Sequence, residues 1–304
     1  MDSTTPTFLP KRHFDYRMTH SVISGNGTFP FAVTTAAARN PQYETENRNC
    51  QDAVGICAKP HFVVGLVCDG CTRTHPAFEQ HSGSSNEVGA KLACNLILRD
   101  LDNILEHRNS FRPDELIGKI SCSLLTGFKT TVKAFCGRDE VRAEKFIYDY
   151  LMTTVVGFVV TAEQFVVFYS GDGVVAVDGK LQLLESDMDG VHYFSNELLT
   201  ICCPQRFQKN GVSNGLKVHV SGETKDIQSI FVATDGMAQF VRQYPDELSK
   251  FLVQPPVLCN EGFDFALPEF RRDIAWNPKL PLTLNDDAAF ALARRITQSK
   301  EAAC

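Results

Sequence analysis

The chain has 304 residues, 43% of them hydrophobic, and a formal charge of -6 at pH 7. That is enough apolar material for one large compact domain, and a net negative chain without a run of Lys and Arg excludes nucleic acid or an anionic membrane as an electrostatic partner. The 11 cysteines are scattered and odd in number, as reduced core thiols are, so a reducing cytoplasm is the expected location.

Residues 1–28 are polar and close on Ser24-Gly25-Asn26-Gly27, which predicts a flexible N-terminal arm. They hold no apolar run, so no signal peptide is expected, and no later stretch reaches the roughly 18 residues of a membrane span. One domain is expected over 29–297, with 298–304 as a C-terminal tail. It opens on short apolar strands at 31–37, 53–58 and 61–68, the last two turned by Lys59-Pro60 into an antiparallel pair.

Two amphipathic helices follow. Ser84 and Glu87 have capping-box spacing before the first, whose apolar stripe is read as Val88, Leu92, Leu96, Leu101 and Leu105. Pro113 suits the first position of the second, with the stripe Leu116, Ile120, Leu124, Phe128, Val132 and Phe135. Strands resume at 155–160, 165–169, 174–177 and 181–184, the last two joined by the hairpin signal Asp178-Gly179. Residues 185–215 lose periodicity around Cys202-Cys203-Pro204 and read as a long surface insertion of the sort that borders a binding site, in which Arg206 and Lys209 are candidates to touch substrate. A strand at 230–233, a helix at 237–251, a Pro-rich stretch and a strand at 288–293 complete the chain.

Acidic residues sit at several strand ends: Asp69-Gly70 after Val67-Cys68, Gly171-Asp172-Gly173, Thr234-Asp235-Gly236, Asp52 before one strand and Asp286-Asp287 before the last. Asp-Gly alone makes hairpin turns, as at 178–179. Yet Asp69-Gly70 leads into a stretch without strand pattern and then a helix, and Asp235-Gly236 leads straight into a helix. A carboxylate at a strand end is rigidly held and open to solvent, and several together offer oxygen ligands to Mg²⁺ or Mn²⁺.

In order along the chain, Asn49-Cys50-Gln51-Asp52-Ala53, Val67 to Gly70 with Ser85-Asn86-Glu87-Val88-Gly89-Ala90, Gly171-Asp172-Gly173, Ala233-Thr234-Asp235-Gly236 and Asp286-Asp287-Ala288 resemble the motifs of the type 2C metal-dependent protein phosphatases, in particular their bacterial-type branch. The resemblance implies an α+β fold, a four-layer αββα sandwich of two antiparallel sheets flanked by helices. It implies a serine/threonine phosphatase with two ions, Mg²⁺ or Mn²⁺, and a weaker third. Asp69 would bridge the two ions, the Gly70 carbonyl would bind the second, Asp235 and Asp286 would hold the first, Asp52 would serve the second, and Asp172 matches the acid of the third. Asp69, Asp235 and Asp286 are thereby the implied catalytic set, and Asp287, where relatives often have Asn, would support a ligand. The implied reaction on phosphoserine or phosphothreonine proteins is in-line attack by a hydroxide bridging the two ions, in a monomer.

The sequence departs from the family's pattern at three places. Cys71 stands where many relatives have His, leaving the acid for the leaving alkoxide open, with His75 and His81 as loop candidates. The phosphate-binding Arg of relatives falls at Asn47, so Arg48, one residue late, is assigned to substrate only if its segment is a loop or bulge. Gln51 replaces a common Glu. Cys68 and Cys71 form a C-x-x-C without a second pair, and are read as a core thiol and a loop residue rather than a zinc site. A different class of function on the same fold is a catalytically silent module that binds phosphoproteins or regulatory partners.

Overall fold

The computed structural model of the protein describes residues 29–38, 49–71, 85–106, 108, 110–184, 193–207, 215–253 and 286–295. The arm over 1–28, the tail over 298–304, Asn47, Arg48, His75, His81, Ser84, Lys209 and the Pro-rich stretch lie outside them.

Among the described residues, ten strands form two antiparallel sheets. The first has the order β1 (Phe31–Ala38), β10 (Ala288–Arg295), β9 (Ser229–Ala233), β6 (Gly173–Val177), β7 (Lys180–Leu184). The second has the order β2 (Ala53–Lys59), β3 (Phe62–Cys68), β4 (Val155–Thr161), β5 (Gln164–Ser170), β8 (Lys217–Glu223). The strands alternate between two apolar layers, which is why the central ones read as unbroken hydrophobic runs. On β3, Val63 and Val67 face the layer between the sheets, while Phe62, Val64, Leu66 and Cys68 face helices. On β10, Ala289, Ala291 and Ala293 face the other sheet, whereas Ala288, Phe290 and Leu292 face outward to a second helical layer. The outcome is the four-layer sandwich expected from the resemblance, with three contiguous apolar layers whose burial, at about 25 cal/mol per Å², is the main favourable term.

On one outer face lie α1 (Glu87–Leu105), α2 (Pro113–Cys136), α3 (Glu140–Tyr150) and α4 (Ser195–Cys202); on the other lie α5 (Ala238–Gln243) and α6 (Pro245–Val253). Several sequence expectations need correction. The buried face of α1 is Gly89, Ala90, Ala93, Cys94, Ile97, Leu101 and Leu105, whereas Val88 is 46% exposed. Small residues make this contact because the helix lies close on β2: a Cβ on Gly55 would meet Cys94 Sγ at 2.4 Å. On α2 the stripe holds from Leu116 to Val132, but Phe135 is 65% exposed and stacks on Phe146 instead.

Three elements escaped the sequence reading. Helix α3 starts at Asp139, whose carboxylate accepts from Val141 N and Arg142 N. Strand β8 is only partly covered, so its pattern is weak. Helix α4 lies inside the segment read as a surface insertion; Phe194, Leu198, Leu199 and Cys203 are buried, and Arg206 pairs with the buried Glu144 of α3 rather than projecting toward a ligand. The helix expected at 237–251 is two, broken between Tyr244 and Pro245, where proline removes an amide donor. The Asp178-Gly179 turn stands as read, with φ of 51° and 73°. The Asp178 carboxylate also accepts from Gln228 N and Ser229 N, tying the turn to β9.

Candidate metal centre

Strand register decides which acids meet. In one sheet Ala53 pairs with Cys68, so Asp52 and Asp69 extend from the same end. In the other, Ala233 pairs with both Val174 and Phe290, so the start of β6, the end of β9 and the start of β10 share an end. The chain crosses between the sheets at Gly171-Asp172, where the two glycines flanking Asp172 have φ of 92° and 145°.

Two side chains lock these ends together. Thr234 donates from Oγ1 to Asp52 Oδ2 at 2.7 Å and accepts from Ala289 N at 2.9 Å, linking β2, β9 and β10. Asp287 accepts from Gln51 N at 2.6 Å, and Asp286 accepts from Asp287 N at 2.9 Å. Gly236 permits this approach, since a Cβ there would lie 1.8 Å from the Asp287 carbonyl oxygen.

The Asp69 turn is held by its backbone. Its carbonyl accepts from Thr154 N at 2.9 Å and from Thr153 Oγ1 at 2.8 Å, and Gly70 N donates to the Gln51 carbonyl at 3.2 Å. Asn86, fully buried at the start of α1, donates to the carbonyls of Cys71 at 2.6 Å and Tyr148 at 3.1 Å and accepts from Met152 N at 3.0 Å. A Cβ on Gly70 would sit 2.6 Å from the Asn86 carbonyl carbon, so this turn admits only glycine against α1. Cys71 follows β3 outside regular structure, as expected of a loop residue, and its side chain is buried in the same apolar cluster as Cys68 and Ala90. Burial, then the neighbouring Cys71, pushes up the pKa of the Tyr193 hydroxyl on the stretch leading into α4.

The electrostatics are those of crowded acids. Burial pushes the Asp52 carboxyl up to about 8; the neighbouring Thr234 and Asp69 side chains oppose this, and the charges of Asp287 and Asp235 add to it. Burial, then the charges of Asp52 and Asp235, holds Asp69 well above the usual carboxylate range. Asp235 rises to about 6 through burial and the charges of Asp172 and Asp286. Thus Asp52, Asp69, Asp172, Asp235 and Asp286 share one neighbourhood. Among the described residues no three His, Cys, Asp or Glu side chains already stand in metal-holding geometry, so the acids are linked by hydrogen bonds and charge rather than arranged as a finished cage.

The residues nonetheless fit a hard cation. Asp52 Oδ1 is buried without a hydrogen-bond partner while Oδ2 is held by Thr234, which leaves one oxygen of a fixed carboxylate unsatisfied. Such an orphan is disfavoured unless something positive shares it. All the acids offer oxygen, the donor that Mg²⁺ and Mn²⁺ prefer. Sequence reasoning missed Thr234, Thr153, Asn86 and Tyr193. Thr234 and Asn86 lie inside quoted motifs, and for Thr234 the available signal was a hydroxyl directly before Asp235-Gly236.

A family model described as protein phosphatase 2C matches residues 41–260 of the chain. Among solved structures, that of a bacterial serine phosphatase carrying an arginine-to-alanine substitution is similar with a TM-score of 0.52 at 14% identity, covering 88% of this chain and 100% of that one. The arginine-to-lysine form gives 0.50 at 15%, with 88% and 98% covered. The catalytic domain of the serine threonine protein phosphatase PstP, in complex with 2 manganese ions, gives 0.49 at 13%, with 88% and 99% covered. At these identities the likeness is one of fold. A comparison with curated proteins gives no match.

Proposed function

The chain belongs to the protein phosphatase 2C family, and from that premise we propose that residues 29–297 form the catalytic domain of a metal-dependent phosphatase acting on phosphoserine and phosphothreonine in proteins. The observation that carries the proposal is the cross-sheet lock from Thr234 to Asp52 and from Asp287 to Gln51, which draws the acids of both sheets to one end.

In this reading Asp69, whose backbone is fixed by Thr153 and Thr154, would hold divalent cations together with Asp235, Asp286, Asp52 and the Gly70 carbonyl. Asp172, whose charge acts on Asp235, would serve a further, weaker ion. When bound, two such ions lower the pKa of water and neutralise phosphate oxygens, the chemistry that phosphoester hydrolysis needs. The chain's own residues orient the acids: Thr234 holds Asp52 by Oδ2 and leaves Oδ1 unpartnered, and Asp287 keeps the segment before β2 against β10. Cys71 is buried, so the acid for the leaving group is assigned to another group. No side-chain nucleophile is required. The complete set of acids favours an active enzyme over a silent binding module.

The test is hydrolysis of p-nitrophenyl phosphate and a phosphothreonine peptide with Mn²⁺, Mg²⁺ or EDTA. Turnover with either metal and none with EDTA is expected. Activity that survived exhaustive chelation would refute the metal-dependent reading.

A further inference from the structure

Beside the acids lies a cleft of about 370 Å³, lined by Asp172, Asp235, Leu183, Ala238 and Arg242 among others. Its size is enough for a phosphoryl group and part of the residue that bears it. Arg242 is exposed, lies in the last turn of α5, and is the one cation among the described residues lining the cleft.

Its position follows from helix geometry. The chain passes from Asp235 through a short 3-10 turn, Asp235–Met237, directly into α5. Side chains on a helix tilt toward its N-terminus, and positions four apart share a face. Arg242 therefore leans back over Ala238, whose methyl leaves room for it, toward the end of the helix that carries Asp235. Both line the same cleft.

A dianionic phosphomonoester approaching this site meets a chain of net charge -6 and a floor of carboxylates. Resting on the phosphatase reading above, we propose that Arg242 is a substrate-positioning residue that receives the phosphoryl oxygens at the mouth of the centre. A guanidinium offers two parallel N–H groups to such oxygens, a geometry that an ammonium lacks. This gives the site a cation from α5, independent of the segment that contains Arg48.

The experiment compares the full chain with Arg242→Ala and Arg242→Lys, each loaded with Mn²⁺. It measures KM and kcat on p-nitrophenyl phosphate and on phosphothreonine peptides with and without flanking acids, together with calorimetric binding of inorganic phosphate. Loss of a charge-assisted hydrogen bond predicts that Arg242→Ala raises KM and weakens phosphate binding by about 10-fold or more, with a smaller change in kcat. Arg242→Lys should recover part of the loss, and the thermal midpoint should not move because the side chain is exposed. Unchanged KM and phosphate affinity in Arg242→Ala would overturn the assignment. So would a loss confined to peptides with flanking acids, which would make Arg242 a reader of the surrounding chain. A wild-type protein that binds phosphate through Arg242 but never turns over would overturn the phosphatase reading and leave this one standing; one that neither binds nor turns over would overturn both.

Discussion

Thr234 sets how Asp52 presents itself, because one hydroxyl both donates to Asp52 and accepts from Ala289 N. Thr234→Val keeps the shape but strands a buried amide and frees the carboxylate. A loss of about 10- to 100-fold in activity and in metal affinity is expected, as for other groups that orient a ligand, with Thr234→Ser restoring most of it. Metal titration of the two variants checks this, and equal behaviour of Val and Ser would show that the hydroxyl is irrelevant. The aspartates separate in the same way. Asp69→Asn and Asp235→Asn each remove charge from the crowded end and should lower turnover by about 100-fold or more with little change in fold. Asp178→Asn leaves the oxygen that accepts from Gln228 and Ser229 at the far end of β6, so turnover should stay within about twofold. Comparable losses at Asp178 and Asp69, with stability unchanged, would contradict the division between turn and ligand aspartates.

Between elements, Asn86 joins α1, the Asp69 turn and the junction of α3 with β4 through three hydrogen bonds in a fully buried setting. Asn86→Ala leaves an amide and two carbonyls unpaired, and at about 1 kcal/mol or more for each, destabilisation of roughly 3 kcal/mol or more is expected in denaturant unfolding of the chelated protein. A change under about 1 kcal/mol would mean that neighbouring groups take over these bonds. Asn86 also shows the limit of what a sequence displays. The strands other than β8 were legible because burial on both faces leaves continuous apolar runs, and the Asp-Gly ends were legible as motif. The role of Asn86 was not, because its partners at Tyr148 and Met152 are more than 60 positions away. Helix α1 was placed but its face was not, since Gly89, Ala90 and Ala93 carry little hydrophobic signal although close packing on β2 and α3 selects them. A Cβ on Gly89, for example, would meet the Tyr150 carbonyl at 2.6 Å. Helix α4 was hidden because its segment mixes polar residues with the leucines that dock it.

Taken over the whole molecule, the acidic end couples stability to pH and, on the proposed metal-dependent reading, to metal as well. Asp52, at about 8, and Asp235, at about 6, bind protons more tightly when folded than the roughly 3.9 of an unfolded Asp. The folded state of the chelated protein therefore holds more protons across this window. Its stability is fully present below about pH 4 as far as these groups are concerned, and is lost as pH rises through about 6 and then 8. A divalent cation reverses the trend by taking the place of those protons and favouring the ionised acids. The gain in thermal midpoint on adding Mn²⁺ to the chelated protein should thus grow from about pH 5 to about pH 8, and Asp52→Asn, which removes the group with the higher value, should flatten the upper half of that rise. Thermal unfolding at several pH values, with EDTA and with Mn²⁺, measures both. A gain independent of pH, or a chelated protein whose Asp52→Asn variant keeps the full slope, would show that these carboxyls are not the groups through which the fold and the metal communicate.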